Sequence, residues 1–286
     1  MLEPGRLSFG VATGQTAPYP VLADRWRYLE ELGFDSIWHF DHFLQPFDPS
    51  LPYYEGWTLL AALAARTTHV RVGLLVASNT FRHPPLLAQQ AITLDHVSGG
   101  RLELGIGAGW FMEEHDRFGV PLYEPAVRVD RFEEALEIID PLLRGETVSY
   151  QGSHYQLSQA RLRPRPVQSP RPPLTLGAHR PRMLGICARY ADRWNSTGTV
   201  EQMADRNRRL DEACHRIGRD PAQIIRSVLA GGTNLDSQGL PDAWSSVDAF
   251  AEVVGRYAEV GVGELIFEPP QPQQYATAER IMSEVR

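Results

Sequence analysis

The feature that most constrains the fold of this chain is a regular alternation of strand-type and helix-type segments from one end to the other. Short apolar runs alternate with longer segments in which apolar residues recur at helical spacing. This pattern is typical of a parallel sheet, because parallel strands are joined by helical crossovers. We count eight such βα units. Eight units can close a (β/α)8 barrel, whereas a doubly wound sheet usually has about five to seven strands.

The predicted units are divided into two groups of four by one interruption. The strands are predicted at 7–12, 34–40, 70–77, 101–106, 174–176, 192–195, 224–230 and 264–267. Between 145 and 173, alternating β-type residues are followed by five prolines, so we expect an inserted hairpin and an extended excursion there. The first strand runs into A-T-G-Q, which is not a dinucleotide-binding glycine motif. The prediction is an α/β protein with one TIM-barrel domain over 1–286.

Composition and charge exclude several classes of protein. Of the 286 residues, 43% are hydrophobic and 22% charged, as in soluble globular proteins, and the net charge is −7. Neither a long apolar run nor a signal pattern is present, so we expect a cytoplasmic protein without membrane contact. Basic clusters with interleaved aromatics are missing, which argues against nucleic acid as a partner. Cys187 and Cys214 lack metal-ligand spacing, and we expect no metal site and two packed thiols.

The active site of a (β/α)8 barrel lies at the carboxyl ends of its strands, so the residues that follow each strand are the candidates. The second strand leads into His39, Asp41 and His42, which brings two imidazoles and a carboxylate to that end. Each histidine has a structural alternative, a buried imidazole bonded to a neighbouring carboxylate, and this alternative is stronger for His39. His42 is the candidate for chemistry.

Two further strand ends carry patterns with more than one interpretation. Residues 78–83 after the third strand are polar around one aromatic, which fits either a ligand site or ordinary turn chemistry. The fourth strand ends in Gly105, Gly107 and Gly109. These glycines either admit a flat ligand or phosphate to the backbone or relieve crowding. For most of residues 113–116 we expect a solvated acidic turn.

The fifth and sixth strand ends suggest an anion site. G-A-H-R at 177–180 is followed at once by a helix, which supplies free N–H groups, a positive helix end and a guanidinium. The alternative is a tight turn with a surface arginine. Ser196 and Thr197 could reach the same anion. Because G-x-S-x-G, H-E-x-x-H and P-loop motifs are missing, hydrolase and nucleotide-triphosphatase functions lack support, and an anionic planar cofactor is favoured.

Longer motifs carry a family resemblance along nearly the whole chain. They read E-L-G-F-D-S-I-W at 31–38, D-H-F at 41–43, E-G-W-T-L-L-A-A-L-A-A at 55–65, N-T-F-R-H-P-P-L-L-A at 79–88, S-G-G-R-L-E-L-G-I-G-A-G-W-F at 98–111 and A-R-Y-A-D-R-W-N at 188–195. The chain resembles the bacterial luciferase-like flavin monooxygenase superfamily, in its branch of coenzyme F420-dependent oxidoreductases.

The resemblance implies a (β/α)8 barrel, a homodimer and a small-molecule substrate. It implies F420 as the cofactor and hydride transfer as the reaction, with FMN and an oxygen-using monooxygenase as the alternative. A cofactor-binding protein without turnover is a third possibility. The cofactor carries the redox chemistry, and the protein supplies orientation and a proton donor or acceptor.

The resemblance also assigns residues, with His42 as the catalytic group. The cofactor-binding set that it implies is Asp41, Leu75, Val76, Ser78, Gly107, Ala108, Gly177, Ala178, His179 and Arg180. Phe47 and Trp110 are the expected substrate-pocket residues. The sugar-phosphate dehydrogenases of the branch carry Glu where this chain has Trp110, which argues against glucose-6-phosphate as the substrate. A cis peptide between Leu75 and Val76, behind the cofactor ring, is implied as well.

Overall fold

The computed structural model describes residues 7–231 and 235–285. Its strands are β1 (Ser8–Ala12), β2 (Ser36–His39), β3 (Arg71–Leu74), β4 (Ala77–Ser78), β5 (Leu102–Gly107), β6 (Val148–Gln151), β7 (Gln156–Ala160), β8 (Leu174–Gly177), β9 (Arg193–Thr197), β10 (Ile225–Ala230) and β11 (Glu264–Phe267). The residues before Leu7, on which the expectation of no signal sequence partly rests, lie outside the described range.

The helices alternate with these strands as the sequence pattern predicts. They are α1 (Tyr19–Glu31), α2 (Gly56–Ala64), α3 (Pro84–Val97), α4 (Met112–Phe118), α5 (Pro125–Leu143), α6 (Pro181–Tyr190), α7 (Val200–Arg216), α8 (Val247–Ala258) and α9 (Tyr275–Glu284). Pro84, Pro125 and Pro181 each occupy the first helical turn, where the missing N–H has no intrahelical partner to lose. No helix in the described part of the chain is long and apolar enough to cross a membrane.

The described residues form two compact units. The first, which we call the charged unit, comprises residues 7–13, 24–38, 178–231 and 235–285. Its strands are parallel and run in the order β2, β1, β11, β10, β9. Inside it, Arg193 and Glu264 form a fully buried ion pair at 2.9 Å. Cys187 and Cys214 are buried and unpaired, which confirms the prediction of two packed thiols.

The second unit, which we call the aromatic unit, comprises 14–23 and 39–177. Here β3, β5 and β8 are parallel neighbours, and β4 also pairs with β5. The predicted hairpin of the insertion is present as the antiparallel pair β6 and β7. The described strands agree with the predicted ones to within two residues, except for the third. That strand is wrong as one continuous element: β3 and β4 are separated at Leu75 and Val76, where the expected cis peptide is found.

Candidate active site

The centre of the site in the aromatic unit is a hydrogen-bonded pair of His42 and Glu114. His42 lies three residues beyond the end of β2, and Glu114 lies on α4. The imidazole Nδ1 is 2.7 Å from Glu114 Oε1, while Glu114 Oε2 accepts the Phe43 backbone N–H at 2.9 Å. The Glu114 side chain is 1% exposed and that of His42 is 14% exposed. Within the described part of the chain, the hydrogen bond of His42 is made by Nδ1, and Nε2 is the nitrogen left open.

The expectation of a solvated acidic turn at 113–116 is wrong for half of its residues. The segment is a helix, α4, which ends at Gly119 with a φ of 67°. Glu114 and His115 are buried, whereas Glu113 faces outward and pairs with Arg117. A run of good helix formers closed by a glycine is the sequence signal that this helix offered. Which of its carboxylates turns inward depends on the helix orientation, which local sequence does not specify.

Asp41 serves as a fixed acceptor beneath the same segment. Its side chain is nearly fully buried, and it accepts the Ser78 backbone N–H at 2.8 Å and the Arg82 guanidinium at 2.6 and 3.0 Å. Burial raises the pKa of this carboxyl group, while Arg82 and the Ser78 N–H favour the ionised form. Arg82 also binds Glu55, the N-cap of α2, at 2.7 Å. Asp41 therefore connects the segment that follows β2 to Ser78, the last residue of β4.

His39 follows the structural alternative, with a different partner from the one expected. Its Nε2 is 2.7 Å from the Gly56 carbonyl oxygen. Burial lowers the pKa of His39 to about 4, so the imidazole is neutral near pH 7. His39 thus supports the site without serving as its acid or base.

Ser78, Thr80 and His115 form a hydrogen-bond chain whose direction follows from its last member. His115 Nδ1 is 2.7 Å from the Phe111 carbonyl, which can only accept, so this nitrogen carries the proton. In the neutral imidazole Nε2 then accepts from the Thr80 hydroxyl at 2.7 Å, and Thr80 accepts from Ser78 at 2.7 Å. Ser78, whose hydroxyl proton is thereby committed, presents acceptor lone pairs to any further partner.

The glycines after the fourth predicted strand follow the crowding explanation. A Cβ on Gly105 would lie 1.9 Å from the Leu74 carbonyl oxygen, and one on Gly107 would lie 2.7 Å from Val76 Cγ2. A Cβ on Gly177 would also approach Val76, at 3.1 Å. The Val76 side chain therefore lies against three glycines, and it remains partly exposed. This arrangement gathers Val76, Gly107 and Gly177, all predicted cofactor residues, at one place.

Aromatic rings surround His42. Trp110 and Phe111 present edge-on contacts to the imidazole, with ring centroids at 5.7 and 5.9 Å. Trp110 is 60% exposed, and Phe47, the other predicted substrate residue, is 89% exposed. Tyr53, which the sequence did not single out, is partly buried, and the nearby Glu114 and Asp41 charges add to that burial in raising the pKa of its phenol. The open nitrogen of His42 thus belongs to a largely aromatic surface.

A separate cluster in the charged unit concentrates positive charge. Arg180 directly precedes α6, and His179 Nδ1 is 2.7 Å from Ser196 Oγ. Arg206 on α7 donates to the same Ser196 oxygen at 2.9 Å and to the Thr197 carbonyl. Burial and the Arg180 charge lower the pKa of Arg206. Burial together with both arginines lowers that of His179. The sequence did not indicate Arg206, because it lies far from Arg180 along the chain although the two are close in the structure.

The predicted site residues therefore fall into two groups. His42, Asp41, Leu75, Val76, Ser78, Gly107, Ala108, Gly177, Trp110 and Phe47 belong to the aromatic unit, and Ala178, His179 and Arg180 to the charged unit. Leu75 is joined to His39 by a backbone bond of 2.8 Å, and Ala178 to Asn195 by one of 3.1 Å. Ala108 is partly exposed beside Trp110. The roles assigned to these residues stay predictions.

Curated relatives share about a third of the aligned sequence. One is the F420-dependent glucose-6-phosphate dehydrogenase of Microbacterium testaceum, 35% identical over 201 residues that cover 69% of this chain and 58% of that protein. Another is the phthiodiolone/phenolphthiodiolone dimycocerosates ketoreductase of Mycobacterium kansasii, 36% identical over 201 residues that cover 68% and 53%. The match thus spans little more than half the length of these relatives.

Structural similarity extends over almost the whole chain. An F420-dependent secondary alcohol dehydrogenase, solved in complex with an F420-acetone adduct, matches with a TM-score of 0.85 at 18% identity, covering 98% of this chain and 99% of that one. The fold is accordingly the predicted (β/α)8 barrel. A sequence model of the luciferase-like monooxygenases matches residues 2–263. With nearly all of the chain matched, this protein belongs to the luciferase-like monooxygenase family.

Proposed function

We propose that this protein is an F420-dependent oxidoreductase that transfers a hydride between the deazaflavin and a small organic substrate. The observation that carries the proposal is the His42–Glu114 pair, whose open nitrogen lies beyond β2 among aromatic side chains. Relatives named for F420-dependent dehydrogenation support the choice of cofactor. We also propose a homodimer in the cytoplasm, with the barrel as one domain over 1–286.

The residues present fit the two chemical parts of such a cofactor. Burial and the Arg180 charge lower the pKa of Arg206, and an anion bound beside the two guanidiniums would relieve their repulsion. With Ser196 and the start of α6, they would hold a phosphate. Val76 and the glycines against it offer a narrow apolar surface that a planar ring would cover. When bound, a deazaflavin supplies two-electron hydride transfer.

The proton is the part of the reaction that falls to the chain itself. With a deazaflavin bound as hydride acceptor, oxidation of an alcohol would release a hydride from the substrate carbon to that cofactor and a proton from the substrate hydroxyl to His42 Nε2. In the reducing direction the carbonyl carbon would receive the hydride, and the protonated Nε2 would give its proton to the carbonyl oxygen. Trp110 and Phe111 flank the imidazole and leave it partly exposed, so a substrate can reach His42.

For the substrate we propose an alcohol or ketone with an apolar body. Trp110 and Phe111 flank His42, and the exposed Phe47 and Met112 add apolar surface on the segments that follow β2 and β5. A sugar phosphate would leave its hydroxyl groups unpaired against such rings. The alcohol-carbonyl chemistry is that named in the ketoreductase and secondary alcohol dehydrogenase matches.

An FMN-dependent monooxygenase is the second candidate. It is favoured by the family, and FMN also carries a phosphate and a planar ring. A binding protein without turnover is the third candidate, against which the partly exposed His42 argues.

Titration of the purified protein with F420 and with FMN tests the proposal. We expect micromolar or tighter binding of F420 and much weaker binding of FMN. Binding of F420 is monitored by the change in its visible absorbance. Turnover is then measured with secondary alcohols and ketones of increasing chain length, with glucose-6-phosphate as the comparison substrate. Tighter binding of FMN, together with oxygen consumption, would replace this proposal by the monooxygenase.

A further inference from the structure

We propose that Glu114 is a positioning residue that fixes the tautomer of His42 and so decides which of its nitrogens exchanges protons with substrate. The catalytic consequence rests on the proposed function, but the tautomer itself does not, and the two are tested separately. Neither Glu114 nor the tautomer follows from the motifs that single out His42.

The tautomer follows from the two donors that converge on one carboxylate. Glu114 Oε2 accepts the Phe43 backbone N–H, and Glu114 Oε1 is 2.7 Å from His42 Nδ1. An ionised carboxylate can only accept, so Nδ1 must carry a proton. In neutral His42, Nε2 is then the unprotonated nitrogen. A proton acceptor is thereby present at the open position without any rearrangement.

The same carboxylate fixes the orientation of the ring. Its two oxygens hold the His42 side chain and the backbone of the next residue, Phe43, so the imidazole cannot rotate without breaking a buried bond. Trp110 and Phe111 present edge contacts to the imidazole at 5.7 and 5.9 Å. The imidazole is therefore held with Nδ1 toward Glu114, and Nε2 is the nitrogen that the carboxylate leaves free.

Glu114→Gln makes a sharp prediction about the tautomer. The side chain keeps its shape but offers one carbonyl oxygen and one NH2 group in place of two acceptors. The Phe43 N–H belongs to the backbone and must still donate, so it takes the carbonyl. The NH2 group then faces His42 Nδ1, which has to accept. We expect the proton to move to Nε2, the wrong tautomer for a base.

The experiment is long-range 1H–15N NMR of the cofactor-free protein with 15N-labelled histidine, at a pH where the His42 ring is neutral, with His42→Gln identifying the signal. We expect a protonated Nδ1 and a bare Nε2 in the wild type, and the reverse in Glu114→Gln. Glu113→Gln is the matched control, since Glu113 lies on the same helix, is 44% exposed and pairs with Arg117. The control should leave the His42 pattern unchanged.

Kinetics supply the second readout. With F420 and an alcohol, Glu114→Gln should lower kcat about 100-fold or more while changing F420 affinity less than twofold, because the base is lost and the binding groups are not. A wild-type His42 protonated at Nε2, or a tautomer unchanged in Glu114→Gln, overturns the proposal, and the wild-type spectrum decides even if the variant does not fold. If the tautomer is as expected but F420 neither binds nor turns over, the proposed function fails and the positioning role of Glu114 stands.

Discussion

The perturbation that most directly tests the charge cluster is Arg206→Gln. In the charged unit, this guanidinium donates to Ser196 Oγ at 2.9 Å, and the nearby Arg180 charge helps to lower its pKa. A bond between a guanidinium and a phosphate oxygen contributes roughly 1.5–3 kcal/mol, because one partner is charged. The expected loss of F420 affinity is therefore about tenfold to about 150-fold.

Two comparisons separate a phosphate contact from a general disturbance. The first is a deazaflavin with the same ring but without the phosphate, whose affinity should change less than twofold in Arg206→Gln. The second is Arg209→Gln on the same helix, since Arg209 is exposed and paired with Asp205 at 2.8 Å. This control should bind both compounds like the wild type. Fluorescence titration at fixed ionic strength gives all the constants.

An equal loss for the two compounds would refute the reasoning, because a residue that binds phosphate cannot affect a ligand that has none. An unchanged affinity for F420 would refute it as well. Arg180→Ala extends the test to the residue that the sequence indicated, with a loss of tenfold or more for F420. If that affinity is unchanged, Arg180 is a surface residue of a tight turn.

Three further predictions concern stability and substrate preference. The pKa of His39 is about 4 in the folded protein and about 6.5 in the unfolded chain. The free energy of unfolding is therefore highest above pH 6.5 and falls by up to about 3 kcal/mol as the pH drops toward 4. Urea unfolding should show this loss, and the loss should be smaller in His39→Gln. Gly107→Ala places a Cβ 2.7 Å from Val76 Cγ2 and should lower the free energy of unfolding by about 1–3 kcal/mol. Gly185→Ala, within α6 and with open space around the new Cβ, should raise it by about 0.5–1 kcal/mol, and thermal unfolding measures both changes. Trp110→Ala should lower kcat/KM for long-chain alcohols at least tenfold more than for short ones, and an equal effect on both would remove Trp110 from the substrate surface.

The sequence was most informative where local pattern decides the outcome. Strands β1, β5 and β11 lie within one residue of their predicted bounds, because short apolar runs between turn signals have few other solutions. The position of His42 after a predicted strand is enough to make it a candidate without any family resemblance. The cis peptide between Leu75 and Val76 is different in kind, since only the family resemblance indicated it.

What could not be predicted depends on tertiary packing. Glu113 and Glu114 are adjacent glutamates with the same helix propensity, yet one is exposed and the other carries the hydrogen bond to His42. Only the docking of α4 decides between them. Arg206 lies near Arg180 because α7 follows β9 back along the sheet. The spacing of the two arginines along the sequence does not indicate that they are close.

Variants of the anion contacts and variants of the proton acceptor should change different kinetic constants. Arg180, Arg206 and Ser196 make their contacts within the charged unit, whereas His42 and Glu114 make theirs within the aromatic unit. Contacts with an anion affect ground state and transition state alike, so their loss raises KM and leaves kcat nearly unchanged. Loss of the proton acceptor lowers kcat instead. A variant of Arg180 or Arg206 that lowers kcat and leaves the KM for F420 unchanged would show that these guanidiniums stabilise charge in the transition state as well as in the bound cofactor.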